Sequence, residues 1–596
     1  MMKKSVWIFS FEFSGIIKEG GLGEVPANQT KWLANQYDIT LFMPSHNIHK
    51  NKEKVDNLQL TKANLLYKDR IDIAKFGLGE NDEEIAISFY EGTLNNIDVV
   101  IIAGENEFAS KILNDPVIYG PETLEGKFIL FARAMKFYIQ NLIEQNQDKI
   151  PDIIHCHDHH AIPAMINVRQ QTSKTGKDVA TVFTIHLLTW PRKNYDFMEA
   201  CGIEDIPLDI YLSNLHKYMS IKDLYELLRA RNINVPSIEE IGVLFSDVVT
   251  SVSESYLKNN VVKQLGGSLI AGKSEFFWNG CDWDYDDMLR TTKVDFKEDL
   301  MKFNPNDPFS RTTIRNYLET KALGELPRRE PVNSSSKIKD FLSNKLIKYP
   351  YKPNEDGVFA GKVWEFNEPG PLVMMTGRLT KMKGIDTLLN AVPLVLKKHP
   401  NTKFLIYVIP SEFSMGEIEP LLDVAYNYKE NVRILFGKVF SLFFPTHIAA
   451  DLFCAPSRWE PFGIIALEAM VSRVPVVASR VGGLQESVLD LREHPNEGTG
   501  LLVPVDQHQK LAESLINLLS IMEIDELAGK SNIQNNKESF NENNIDLNIL
   551  EELKSNITFD DLRKKVDTNL QFGSEVRENC GNRVENVFRW KIVSQK

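Results

Sequence analysis

The sequence predicts an α/β protein with two doubly wound parallel sheets, and three observations predict it. At 596 residues the chain exceeds the ~250–300 residues at which one hydrophobic core stops growing, so at least two domains are expected. Short apolar, β-branched runs alternate with longer segments of helical periodicity, the pattern of parallel strands joined by crossover helices. Those runs fall into two groups separated by a strand-poor stretch. Apolar residues at 43% and charged residues at 25% are ordinary for a globular chain and exclude whole-chain disorder or a fibrous class. With 81 acidic against 68 basic residues the formal charge is −13, which argues against nucleic acid or an anionic membrane as partner. A local basic pocket for one small anion is compatible with that balance.

In the first group, strands are expected at 6–13, 39–43, 98–103, 152–155, 180–186 and 247–252. In the second they are expected at 372–376, 403–409, 432–436, 452–455, 474–478 and 501–503. Domains are accordingly drawn at 1–280 and 281–575, with residues 576–596 an amphipathic C-terminal helix docking back on the body. Between 285 and 368 the prolines Pro305, Pro308, Pro327, Pro331, Pro350 and Pro353 punctuate a charged insertion. Residues 531–556, rich in Asn and Glu, read as an exposed loop with a helical piece. At the N-terminus Lys3 and Lys4 precede an apolar run, as in a secretory leader. Glu12 interrupts that run and no small-residue cleavage site follows, so a buried first strand is expected. The cysteines Cys156, Cys201, Cys281, Cys454 and Cys580 are far apart and fit reduced thiols. No apolar stretch approaches the ~20 residues of a membrane span, so a soluble cytoplasmic protein without a membrane partner is expected.

Chemistry-bearing residues cluster where strands give way to helices. Lys18-x-Gly20-Gly21-Leu22-Gly23 follows the first strand, and its glycines let backbone N–H groups approach an anion at a helix N-terminus. A plain glycine turn is the competing reading. His155-Cys156-His157-Asp158-His159-His160 ends another strand. A metal cluster is tempting there, but successive strand side chains point to opposite faces, so the run cannot converge and no metal is expected. Asp158 and His160, past the carboxyl end of the strand, are candidates for sugar hydroxyls or for fixing the loop. His186 ends a strand at the same edge, where a structural histidine is the alternative. In Gly377-Arg378-x₄-Lys383-Gly384, two cations on one strand-to-helix loop can reach one diphosphate; a solvated basic turn is the plain alternative. Lys383 precedes the second glycine, so the phosphate loop of nucleotide hydrolases is absent. Glu460 and Glu468 flank Pro461-Phe462-Gly463 before and inside a helix, a spacing suited to several hydroxyls. Gly482-Gly483-Leu484 adds a second glycine turn with N–H groups expected to be free for an anion.

Taken in order, these residues resemble the glycogen and starch synthase family of retaining glycosyltransferases, whose GT-B fold has two Rossmann-like domains facing a cleft. Ser251-Val252-Ser253-Glu254-Ser255-Tyr256 and Asn279-Gly280-Cys281-Asp282 add to the resemblance, which covers most of 5–284 and 370–520. It implies transfer of glucose from a nucleoside-diphosphate glucose to the non-reducing end of an α-1,4-glucan, with no cofactor or metal required. By similarity Lys18, Gly20 and Gly21 meet the donor from the first domain, and Arg378 and Lys383 neutralise the leaving diphosphate. His186 and Asp158 lie beside the transferred sugar, His160 on the acceptor side, Glu460 on the glucose hydroxyls and Glu468 on the ribose. Phe462, Gly463, Gly482, Gly483 and Leu484 complete the donor site. Asp282-Trp283-Asp284 matches a metal-dependent transferase pattern but falls on the family's Asn-Gly-x-Asp turn.

His159 and Leu187 depart from the family's usual tryptophan and asparagine, which leaves the acceptor side less defined than the donor side. Insertions at 196–240 and 285–368 resemble those of the longer archaeal members. Two alternatives stay open: a glucosyltransferase making trehalose or a glucoside, and a silent glucan-binding subunit. Phosphorolysis through pyridoxal phosphate lacks a matching cofactor-lysine segment. Donor base, acceptor length, regulation and homo-oligomer formation are not legible.

Overall fold

The computed structural model describes residues 3–72, 82–324, 338, 340–342, 351–353, 359–363, 365–411, 414–437, 439–535 and 546–595. The chain forms two compact units, Met1–Asn279 with Trp590–Lys596, and Gly280–Arg589. Strands of the first unit are β1 (Lys4–Phe9), β2 (Tyr37–Pro44), β3 (Thr61–Asp72), β4 (Asp82–Leu94), β5 (Ile97–Gly104), β6 (Ile153–His157), β7 (Ala180–Ile185), β8 (Leu208–Leu212), β9 (Leu215–Met219), β10 (Val248–Ser251) and β11 (Ser274–Phe276). Their main sheet runs β11-β10-β7-β6-β1-β2-β5-β4-β3, with β8 and β9 a separate hairpin. The central strands pair in parallel, and β4 and β3 are added antiparallel at one edge. Central strands bury both faces: Leu41, Phe42 and Met43 are fully buried, as are Val99, Ile101 and Ile102.

The order of this sheet reverses at β1. The chain steps from β1 to β2 on one side, and β6 later pairs with the other side. Loops leaving the carboxyl ends of β1 and β6 therefore splay apart and open a crevice, the place where open α/β sheets bind ligands. The Lys18 loop and the Asp158 loop leave from those two strand ends.

In the second unit the strands are β12 (Tyr351–Pro353), β13 (Phe359–Val363), β14 (Leu372–Arg378), β15 (Lys403–Ile409), β16 (Val432–Phe436), β17 (Leu452–Ala455), β18 (Val476–Ser479) and β19 (Gly500–Val503). The parallel sheet β16-β15-β14-β17-β18-β19 reverses at β14, between the strands that carry Arg378 and the Glu460 loop. This places the second set of candidate residues at the corresponding point of its own sheet.

Several segments differ from the sequence expectation. The first strand stops at Phe9, because Ser10 turns back and bonds the Glu12 backbone. The β3–β4 hairpin was not legible: β3 alternates exposed and half-buried residues on an edge and carries few of the apolar runs that mark central strands. Residues 196–240 hold the β8–β9 hairpin and the helix Ile221–Ala230. The insertion at 285–368 begins with helices Tyr285–Asp295, Lys297–Phe303 and Arg311–Tyr317, and much of the rest lies outside the described residues. Arg315 fastens it, with Nη1 donating to Asp451 at 2.7 Å and Nη2 to Glu526 at 3.0 Å. Helices His508–Asn535 and Leu547–Asn556 flank 536–545, which are not described. The C-terminal segment divides: Phe588 packs on Phe462 in the second unit, whereas Trp590 and Val593 pack on Val25, Trp32, Phe277 and Trp278 in the first. Among the described residues no helix is long and apolar enough to cross a membrane.

Candidate active site

In the first unit the candidate residues stand on three strand ends. Beyond β1, Lys18 is about half exposed and its ammonium pairs with Glu24 in the first turn of the helix Glu24–Leu33, a site where that helix favours an acid. Ser14 Oγ and Asn28 Nδ2 also reach the Glu24 carboxylate, at 3.2 and 3.1 Å. The loop amides differ from the expectation of free N–H groups at Gly20. Glu19 and Gly20 donate instead to Oε2 of buried Glu12, at 2.7 and 2.9 Å. A buried acid in an apolar strand end must find donors, and the nearest are these amides. Glu12 was legible only as the acid that breaks the first apolar run.

The histidine run splits into two environments. His155 and His157 share a face of β6, ring centroids 4.2 Å apart. His157 Nδ1 lies 2.9 Å from His186 Nε2, and His155 Nε2 lies 2.7 Å from Thr184 Oγ1. His160 turns elsewhere and packs against Phe11, ring centroids 4.5 Å apart. Among the described residues no group of three or more His, Cys, Asp or Glu is arranged to hold a metal. Burial lowers the His155 imidazole to about 4 and His186 to about 3, and pushes His157 and His160 well below the usual range. The rings are therefore neutral hydrogen-bonding groups near pH 7.

Asp158 ties the two strand ends together. Its N–H donates to Thr184 O at 2.9 Å, and its Oδ1 accepts the amides of His186 at 2.7 Å and Leu187 at 3.4 Å. It does so with φ at +59°, an uncommon conformation for a side chain-bearing residue and one that concentrates at functional sites. Burial raises its carboxyl to about 8, although the two amide bonds oppose the shift. Glu239, also missed from sequence, accepts from Thr189 N at 3.0 Å and Trp190 N at 3.1 Å and so fixes the turn that follows His186. Its signal was the Ser237–Glu240 capping box that starts the helix Ile238–Phe245 and sets Glu239 in its first turn.

The second unit carries the remaining candidate residues. Arg378, at the end of β14, is exposed and its guanidinium has no partner among the described residues. Lys383 closes the short turn Lys381–Lys383, and its ammonium pairs with Glu460 Oε2, which also accepts Ser457 Oγ at 3.2 Å. Both partners are largely buried, with 17% and 11% of their side chains exposed. Arg458 stitches the loops together, donating to Asp386 at 2.8 and 2.7 Å and to Lys381 O at 2.7 Å. Gly384, at φ +63°, lies so near Pro456 O that a Cβ would come within 2.0 Å. Glu468 lies in the helix Ile464–Val471 that follows the Glu460 loop, and Gly463 is its N-cap.

The Gly482–Gly483 turn differs from its expected role as an open anion cradle. At Gly482, φ +49°, a Cβ would lie 1.6 Å from Glu460 O, so this glycine lets two loops touch. Gly483 N–H donates to Pro461 O at 3.1 Å and Leu484 N–H to Val481 O at 3.2 Å. The Gly483 amide thus holds the Glu460 loop, and the Leu484 amide closes its own turn. Phe462 and Leu484 are both buried.

Comparison with known proteins follows the same division. Residues 5–271 match the family model described as the starch synthase catalytic domain, and residues 360–534 the model described as glycosyl transferases group 1. The chain is 24% identical over 499 residues to a glycogen synthase of Lactobacillus acidophilus, covering 82% of this chain and 86% of that protein. It is 25% identical over 508 residues to glycogen synthase 2 of Geobacter sulfurreducens, covering 83% and 87%. The catalytic domain of starch synthase IV from Arabidopsis thaliana, solved bound to ADP and acarbose, superposes with a TM-score of 0.60 at 18% identity, over 97% of this chain and 99% of that one. That likeness is one of fold, GT-B. With the two domain models matched in this order and relatives aligned along most of its length, the chain belongs to the glycogen and starch synthase family of glycosyltransferases.

Proposed function

We propose that this enzyme extends an α-1,4-glucan such as glycogen, transferring glucose from UDP- or ADP-glucose to the non-reducing end with retention of configuration. The observation that carries the reading is the pairing of Arg378 and Lys383 on one loop at the order reversal of the second sheet, with Glu460 beside them. When the bond from C1 of glucose to the diphosphate breaks, negative charge grows on the leaving oxygens. Two neighbouring cations, Lys383 held by Glu460 and Arg378 open to solvent, stabilise that charge without an added metal. C1 then bonds the 4-hydroxyl oxygen of the acceptor, and the hydroxyl proton departs with the diphosphate. Glu460 accepts glucose hydroxyls and Glu468 those of the ribose, while the backbones of Phe462, Gly463 and Gly482 line the donor.

His186, lowered to about 3, acts as a neutral hydrogen-bonding group to the transferred glucose and does not deliver a proton. Its Nε2 is engaged by His157, which leaves Nδ1 for the sugar. Asp158 orders this edge, His160 lies on the acceptor side and Lys18 meets the donor phosphates. The test is calorimetric titration with UDP-glucose and ADP-glucose, followed by sizing of the product formed on glycogen and on free glucose. Label in α-1,4-linked polymer supports the reading, and label only in a disaccharide replaces it with small-acceptor transfer.

A further inference from the structure

In the loop after β1 the chain has placed its own carboxylate where an anion was expected. Glu12 is 2% exposed, its Oε2 accepts the Glu19 and Gly20 amides at 2.7 and 2.9 Å, and its Oε1 accepts the Tyr119 hydroxyl. Consecutive amides converging on one oxygen are the arrangement that a glycine loop offers a phosphate. A second anion at those amides would stand beside a buried carboxylate with little water to screen it.

Glu12 is itself held twice, at its backbone by Ser10 and at its carboxylate by Tyr119. Ser10 Oγ donates to Glu12 O at 2.6 Å and accepts Glu12 N–H at 3.3 Å. Tyr119 sits on a turn fixed by Lys127, whose buried Nζ donates to Val117 O at 2.5 Å and Ile118 O at 3.2 Å. Hydrogen bonds from Lys127 of the helix Leu124–Gln145 thus fix the turn that carries Tyr119, and Tyr119 and Glu12 connect that turn to the residues following Lys18.

We propose that Glu12 is a positioning residue for donor binding. It holds the Lys18 to Gly20 loop from within, so that the loop presents the Lys18 ammonium, and not the Glu19 and Gly20 amides, to the donor diphosphate. The role of the loop rests on the glucosyl-transfer reading given above; the pinning of the loop does not.

The experiment compares wild type, Glu12→Gln, Glu12→Ala and Tyr119→Phe by transfer kinetics and by hydrogen exchange at the Glu19 and Gly20 amides. A Gln oxygen still accepts the amides, so Glu12→Gln should keep donor KM, kcat and amide protection within about threefold of wild type. Glu12→Ala should lose the protection and raise donor KM at least about tenfold, with a smaller change in kcat. Tyr119→Phe, which removes one donor and leaves the fold least disturbed, should shift both readouts in the direction of Glu12→Ala. Glu12→Gln as impaired as Glu12→Ala, with amide protection intact, would overturn the proposal, because the charge and not the hold would then matter. Unchanged donor KM in both Glu12→Ala and Tyr119→Phe would overturn it equally. Wild-type protein that transfers no glucose defeats the transfer reading and with it the donor role, whereas the exchange data still decide whether Glu12 pins the loop.

Discussion

Lys383 and Glu460, from the loops after β14 and β17, are joined as an ion pair with both side chains largely buried. The lysine expected to answer the donor diphosphate is thus already answered by the acid expected to hold the sugar. Donor binding must share or break this pair, which couples phosphate recognition to sugar recognition. Replacing Lys383 with alanine leaves Glu460 with Ser457 as its hydrogen-bond partner and should cost about 1–3 kcal/mol of stability. Transfer should fall by about 10²–10³. Adding Glu460→Gln should restore part of the stability and none of the activity, and urea unfolding of the single and double variants checks it. Strictly additive losses would show that the pair is not coupled.

Arg378 behaves oppositely because nothing among the described residues holds it and it faces solvent. Arg378→Ala should change stability by less than about 0.5 kcal/mol while lowering transfer by about 10². Arg378→Lys should recover only part of the rate, since a single ammonium cannot bridge two phosphate oxygens as a guanidinium does. Thermal melts beside initial rates measure both effects.

Buried neutral histidines set the acid limit of the fold. Burial holds His155 at about 4 and His186 at about 3, and His157 and His160 well below their ordinary value. Below an unfolded value of about 6.5 the unfolded chain binds protons that the folded chain refuses, so stability is present above that pH and is lost as pH falls. Each such histidine contributes a slope of up to about 1.4 kcal/mol per pH unit in that window. Urea unfolding at pH 7, 6 and 5 should show a steep decline, reduced in His160→Phe. A flat profile between pH 7 and 5 would show that these rings are protonated in the folded protein.

Gly482→Ala tests the loop contact directly. The added methyl would lie 1.6 Å from Glu460 O at a backbone φ of +49°, so the Glu460 loop must move. The variant should lose at least about 2 kcal/mol and most of its transfer activity. Donor titration calorimetry and thermal unfolding read the two losses together.

Much of the fold was legible because central parallel strands are apolar throughout. The strands 403–409, 432–436 and 452–455 have the expected bounds, each built on an apolar run that Lys403 opens in the first and Arg433 interrupts in the second. Edge hairpins were not legible, since β3 shows solvent one face and reads as a polar stretch. Among site residues, the loops after β14 and β17 were recognisable from glycines and charges at fixed spacing. The partners that hold them were not. Glu12 meets Tyr119 across 107 positions and Asp158 meets His186 across 28. Hydrogen bonds of that separation leave no periodic trace in one sequence. The N–H groups expected to be free at Gly20 and Gly483 are taken instead, by Glu12 eight positions earlier in the same loop and by Pro461 on the loop after β17.

The most direct test of glucan synthesis by paired cations is transfer of radiolabelled glucose from UDP-glucose and from ADP-glucose, separately, onto glycogen without added metal, in wild type and Lys383→Ala. The expected result is α-1,4-linked label from at least one donor that largely disappears in the variant. No incorporation from either donor by folded wild-type protein, or full incorporation by Lys383→Ala, would contradict it.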